Sequence, residues 1–257
     1  MKFRTQFSLP ALILLLAILI SSCGNRERRK GDFIIPSSNT GSALTIGWYV
    51  PVEMLTELVG PEFKPRVVKG EDQGSISIFI VKGGEHLIDG KTMGSLKSAH
   101  VVIPVEKPGN IKVKDWPDIG AAMVLPVNIV EQSLVLGDKL VEYGFSTYTG
   151  NIELDIKKTE EKYLIEAKVN TVNGQIEIKC MFEENGETRE FSSAMFTHKH
   201  GTKTFFYGEE RMTSISNGKG NLEIGGDNII KAMNLAGRPY FLKLNLDLSW
   251  EFDFVKE

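Results

Sequence analysis

His198-Lys199-His200 sets two imidazoles two residues apart, and on an extended strand such residues share a face. Two neutral imidazoles so placed are metal-ligand material, and Glu209 and Glu210 follow soon after. The pair equally suits two solvated histidines beside a His200-Gly201 turn. With no third ligand in the pattern, neither a metal nor any other cofactor is expected. His86 and His100 are the other two histidines. Cys180 lies in QIEIKCMF, where alternation puts Ile176, Ile178 and Cys180 on one apolar face, as expected of a buried structural thiol. No Gly-x-Ser-x-Gly elbow, phosphate-binding loop or Gly-x-Gly-x-x-Gly fingerprint occurs. Lys82-Gly83-Gly84 and Gly225-Gly226 read as turns.

Cys23 is the other thiol. Lys2 and Arg4 precede an apolar run, Leu9 to Ile20, that is too short to span a bilayer as a helix and suits the core of a signal peptide. Ile20-Ser21-Ser22-Cys23 then resembles a bacterial lipobox: a branched apolar residue, two small residues and Cys. The expectation is a lipoprotein signal peptide over residues 1–22, cleaved before an acylated Cys23 bearing palmitate-type chains. Residues 23–42 form a tether, and the folded domain covers residues 43–257. Membrane lipid is the expected partner, through Cys23. In a Gram-negative source, Gly24 after the Cys points to the periplasmic side of the outer membrane.

The chain has 257 residues, with 30 Lys and Arg against 33 Asp and Glu. Removal of the signal takes Lys2 and Arg4 and leaves a net charge of -5. The strip GNRERRKGD after Cys23 carries +2, so the remainder carries -7. A basic strip beside a lipid anchor suits anionic headgroups. An acidic domain without aromatics interleaved among basic residues does not suit a nucleic-acid partner.

Elements able to position side chains are mostly strands. Ser75–Val81, Ala99–Val105, Ala121–Val127, Gly150–Lys157, Tyr163–Thr171, Gln175–Phe182, Glu190–Phe196 and Thr202–Tyr207 alternate or are rich in β-branched residues. From Leu242 to Phe254 every second residue is apolar. The Pro-Val pairs at Pro104 and Pro126 suggest strand ends or edges. Short helices are expected over Val52–Val59, Asn128–Leu136 and Asp227–Leu235. About ten strands without βαβ spacing predict a mainly β domain, one large antiparallel barrel or double sheet with few short helices.

One arrangement is more particular. Tyr49-Val50-Pro51-Val52 leads into a helix ended by Gly60-Pro61. A strand closing in Ile103-Pro104-Val105 follows, and then a short helix, Gly137-Asp138-Lys139-Leu140, Tyr143-Gly144-Phe145 and the strand Ile152-Glu153-Leu154. This order resembles the acetoacetate decarboxylase family. The resemblance implies that family's β-barrel and a pocket for a small keto acid. The family's lysine pair, expected after Gly144-Phe145, is replaced by Ser146-Thr147-Tyr148. Its glutamate near the apolar strand is replaced by His100. Without a desolvated lysine there is no iminium electron sink for decarboxylation.

The resemblance places His100, Thr147 and Tyr148 in the pocket, with Glu142 and Arg238 as further polar candidates. Two readings stay open. In the first, a lipid-anchored protein binds a small, partly apolar keto or carboxylate ligand without Schiff-base catalysis. In the second, a carboxy-lyase-like or related enzyme uses non-lysine groups, with His100 as acid-base and Tyr148 orienting a carbonyl. A filled barrel would instead indicate a purely structural envelope protein.

Overall fold

The structure is a computed structural model describing residues 33–36, 41–88, 91–108, 120–131, 134–142, 144–197, 201–227, 231 and 234–256. Cys23, the expected signal peptide, most of the tether, His198 and His200 lie outside the described residues, as does much of the helix expected over Asp227–Leu235. Among the described residues, no helix is long and apolar enough to cross a membrane.

The elements in order are β1 (Phe33–Pro36), β2 (Gly41–Pro51), α1 (Glu53–Val59), β3 (Gln73–Ile88), β4 (Lys91–Pro104), β5 (Ala121–Val130), α2 (Leu134–Glu142) and β6 (Thr147–Lys158). They continue as β7 (Lys162–Thr171), β8 (Gly174–Glu183), β9 (Glu187–Thr197), β10 (Gly201–Ser216), β11 (Lys219–Gly226) and β12 (Phe241–Lys256). Seven strands close a barrel in the order β2-β3-β4-β5-β9-β10-β12, with β12 paired back onto β2. All its pairings are antiparallel except β5 with β9. A second antiparallel sheet, β6-β7-β8-β11, joins the barrel where Asn128–Val130 runs parallel to Thr147–Thr149.

Alternation along each strand feeds two cores. One barrel face sends Ile46, Trp48, Ile78, Ile80, Val101 and Ile103 outward, where they meet Ile152, Ile165, Ile178 and Phe182 of the second sheet. The other face turns Val81, Leu125, Phe206, Met212 and Trp250 into the lumen. Strand β12 serves both. Its register shifts between Asn245 and Leu248, and Asp247 has a left-handed φ of 51°. This bulge reverses the phase: Leu242 and Leu244 pack in the outer core, whereas Leu248, Trp250 and Phe252 pack in the lumen. One unbroken apolar stripe in sequence is therefore divided between two faces.

Several expectations need correction. Asn128–Val130 is strand, held by β4 on one side and β6 on the other, and the helix begins only at Leu134. Gly137 does not end that helix but sits inside it, where a Cβ would lie 3.3 Å from Val130 Cγ2. Pro126 is internal to β5, at the register shift between Val124 and Val127, where a missing N–H is tolerated. Gly225-Gly226 closes strand β11, which pairs with β8, rather than forming a turn of its own, and residues 33–36 of the expected tether pair with β12.

Candidate functional site

Strands β4 and β5 place His100 opposite Asn128 in register. His100 Nδ1 lies 2.7 Å from Asn128 Oδ1, and Nε2 lies 2.8 Å from Ser98 Oγ. The Asn128 amide is oriented by its own Nδ2, which donates to the Ser146 carbonyl at 3.3 Å. An amide oxygen only accepts, so His100 Nδ1 carries the proton and Nε2 accepts from the Ser98 hydroxyl. Burial holds the imidazole pKa below its usual value, against the upward pull of the Asn128 hydrogen bond. A neutral, fixed tautomer results.

His100 and Asn128 line a lumen cavity of about 400 Å³. On β10 the alternation Phe206, Gly208, Glu210, Met212 brings Glu210 into the same cavity, where its residue is only 7% exposed. Ser193 of β9 donates its hydroxyl to Glu210 Oε1. Burial pushes the Glu210 carboxyl up to about 7, partly offset by that hydrogen bond. Nearby, Asn245 accepts from Ser214 Oγ at 2.7 Å and donates to Thr45 Oγ1 at 3.3 Å.

One end of the lumen is filled by apolar side chains. Phe145 stacks on Phe206 with centroids 5.1 Å apart, and Leu140, Trp250 and Phe252 pack around them. Towards the other end strand register sets Phe241 opposite Gly47. There Phe241 lies across Gly47 and meets Tyr49 at 4.9 Å between centroids. Among the described residues, Lys243 is the one lysine lining the cavity, and it is exposed at this mouth with Nζ 5.7 Å from the Phe241 ring. Arg189 also lines the mouth and is ion-paired with Glu187.

The other sequence candidates do not converge there. Thr147 spends its hydroxyl on the Phe145 carbonyl at 3.2 Å and lines neither cavity. Tyr148 is 48% exposed and pairs with Ile129, on the barrel's outer face. It borders a separate groove of about 570 Å³, walled by Ala99, Val101, Val127 and Ile129. His100 touches both spaces, but its ring is held by Ser98 and Asn128 on the lumen side, so the imidazole and the Tyr148 phenol occupy opposite faces. Glu142 ends α2 in solvent, and Arg238 donates Nε to the Asn234 carbonyl at 2.9 Å; neither borders a cavity. Among the described residues, no three His, Cys, Asp or Glu side chains are placed to hold a metal. Ser193 and Asn128 are site residues that sequence reasoning did not single out, and Glu210, noted there only beside the His-x-His pair, belongs instead to the lumen. The available signal was Glu210 alternating with Phe206 and Met212 on one strand face.

Solved structures of other proteins share this architecture. Acetoacetate decarboxylase from Legionella pneumophila superposes with a TM-score of 0.51 at 9% identity, covering 100% of this chain and 96% of that one. The enduracididine biosynthesis enzyme MppR, complexed with the condensation product of pyruvate and imidazole 4-carboxaldehyde, gives 0.51 at 8%, covering 91% and 90%. The fold is that of the acetoacetate decarboxylase-like proteins. No protein-family model matches the sequence, nor does any curated protein. At such identities the acetoacetate decarboxylase-like likeness is one of backbone architecture, and the chemistry has to be argued from the side chains present.

Proposed function

We propose that this chain is a lipid-anchored envelope protein whose acetoacetate decarboxylase-like barrel binds a small, partly apolar keto acid or carboxylate without forming a Schiff base. The observation that carries this reading is the composition of the lumen. A neutral imidazole, a carboxyl and several hydroxyls stand above an apolar floor, and the lysine that borders the cavity, Lys243, is exposed. Schiff-base chemistry requires a desolvated amine. Anchoring rests on Lys2 and Arg4, the short apolar run and Ser21-Ser22-Cys23.

The test has two arms. Full-length protein is incubated with acetoacetate and borohydride, and its mass is measured. An unchanged mass together with saturable quenching of Trp fluorescence by acetoacetate supports binding without an imine; a reduced covalent adduct overturns it. Metabolic labelling with a palmitate analogue should mark the wild type and leave Cys23→Ala unmarked, and equal labelling of both overturns the anchor.

A second reading, a lyase or other enzyme using non-lysine groups, draws on His100 and Glu210 lining one cavity, both with pKa values displaced by burial. Release of CO2 from β-keto acids that is lost in His100→Gln is the result that favours it.

A further inference from the structure

Glu210 is a carboxyl in the middle of the barrel wall, and among the described residues no cation lies against it. Its strand neighbours in register are Trp250 on β12 and Phe191 on β9. Among the described residues, the other titratable groups lining the lumen are His100 on β4, Arg189 on β9 and Lys243 on β12. Among the lining residues, β2 offers Thr45, β3 offers Ser75 and Ser77, and β5 offers Asn128, none of which titrates in this range. None of the three titratable groups pairs with Glu210: His100 is held by Ser98 and Asn128, Arg189 by Glu187, and Lys243 sits over Phe241. Ser193 donates to Oε1, which leaves Oε2 as the oxygen on which a proton resides and from which it is given.

A bare carboxylate in such a space is costly, so the group holds its proton until something in the lumen shares it. Arg189 is compensated by Glu187, and the exposed Lys243 is the cation lining the cavity that favours an anion over a cation as the visitor. We propose that the Glu210 carboxyl is the ligand-binding group of the lumen: with its proton on Oε2, it donates one hydrogen bond to the carboxylate of a small monocarboxylate. The carboxylate and Glu210 then share one proton, as paired carboxyls do. The ligand's alkyl part lies against Met212, Phe206 and Trp250, which also line the cavity. This assignment rests on the lumen being the binding site for a small carboxylate, and it adds the group that holds the carboxylate and a coupled proton.

The experiment is calorimetric titration of the full chain with hexanoate, 1-hexanol and hexylamine between pH 5.5 and 8.5. Hexanoate affinity should hold below neutrality and fall about tenfold per pH unit above it, because the bound state retains a proton that free Glu210 has lost. Glu210→Gln keeps a donor at the same place and should bind hexanoate with no such slope. Should that variant fail to fold, wild-type titrations at pH 8 in buffers of different ionisation enthalpy should give about one proton taken up per hexanoate bound. Hexanoate binding without pH dependence, or a slope that survives in Glu210→Gln, overturns the Glu210 assignment and leaves lumen binding standing. Hexylamine binding that strengthens as pH rises overturns the carboxylate class. Failure of all three probes to bind at any pH overturns both the assignment and the lumen as a binding site.

Discussion

His100 Nδ1 and Asn128 Oδ1 stand 2.7 Å apart across adjacent strands, and that contact decides which imidazole nitrogen carries the proton. Asn128 has no freedom to turn its amide over. Its backbone N–H donates to the Ser146 carbonyl at 2.8 Å and its Nδ2 donates to the same oxygen. The chain segment entering β6 thus sets the chemistry of a histidine on β4.

Replacing Asn128 by Leu strands a buried N–H on His100 and should lower stability by about 1–3 kcal/mol, measured by denaturant unfolding. Asn128→Asp should act differently, setting a carboxylate against the ring and raising the His100 pKa. Imidazole proton NMR across pH 4–8 reads that shift.

Glu210 makes stability depend on pH in a defined direction. Its pKa rises from 4.5 unfolded to about 7 folded, so between those values the folded state binds the extra proton. Stability is full below pH 4.5 and falls as pH rises towards 7, by an amount of about 3 kcal/mol at most. Glu210→Gln should therefore match the wild type near pH 4 and exceed it at pH 7.5. His100 works in the opposite sense, since its lowered pKa removes stability as pH falls below 6.5. Thermal unfolding of both single variants across this range separates the two contributions.

Gly47 has no room for a side chain. A Cβ there would lie 2.2 Å from Phe241 Cζ. Gly47→Ala should displace the ring, break its contact with Tyr49 and cost roughly 1–3 kcal/mol. Trimming the ring should recover part of the loss, so a Gly47→Ala, Phe241→Leu double mutant should show a favourable coupling energy.

Cys180 faces the outer core, and burial pushes its thiol pKa up to about 12. It should resist iodoacetamide in the native state and react only on unfolding. Rapid native alkylation would mean that the second sheet opens locally.

Much of the barrel was legible in the alternation of its strands, but two faces of one wall were not. Leu242 to Phe254 reads as a single apolar stripe because the bulge around Asp247 is a backbone event with no marker in residue type. Parity likewise decides Tyr148, which turns away from the lumen because it registers with Ile129 rather than Asn128. NIVEQSLVL has helical spacing, yet its first three residues are claimed by β4 and β6, and tertiary pairing overrides local propensity. Glu210 reads in sequence as a companion of the His-x-His pair, because Gly208 interrupts the apolar face that would mark its carboxyl as lumenal. His100 was reachable by resemblance; its tautomer needed Asn128, a partner 28 residues away.

The barrel is closed along β5 and β9 by four residue pairs, Ala121–Val124 with Ser193–Phe196. Strands β6, β7 and β8 intervene in sequence, so this junction, like the pairing of β2 with β12, joins distant parts of the chain and bears a loop-closure entropy that the local hairpins do not. It acts as the seam of the container. The hairpins of the second sheet can form from local contacts, whereas the lumen comes into being only when the seam shuts. Ser193 sits in the seam and holds Glu210. Whatever occupies the lumen is therefore linked to the order in which the chain assembles. Native-state hydrogen exchange should find the seam amides opening before those of β3 and β4, and a bound ligand should slow them first.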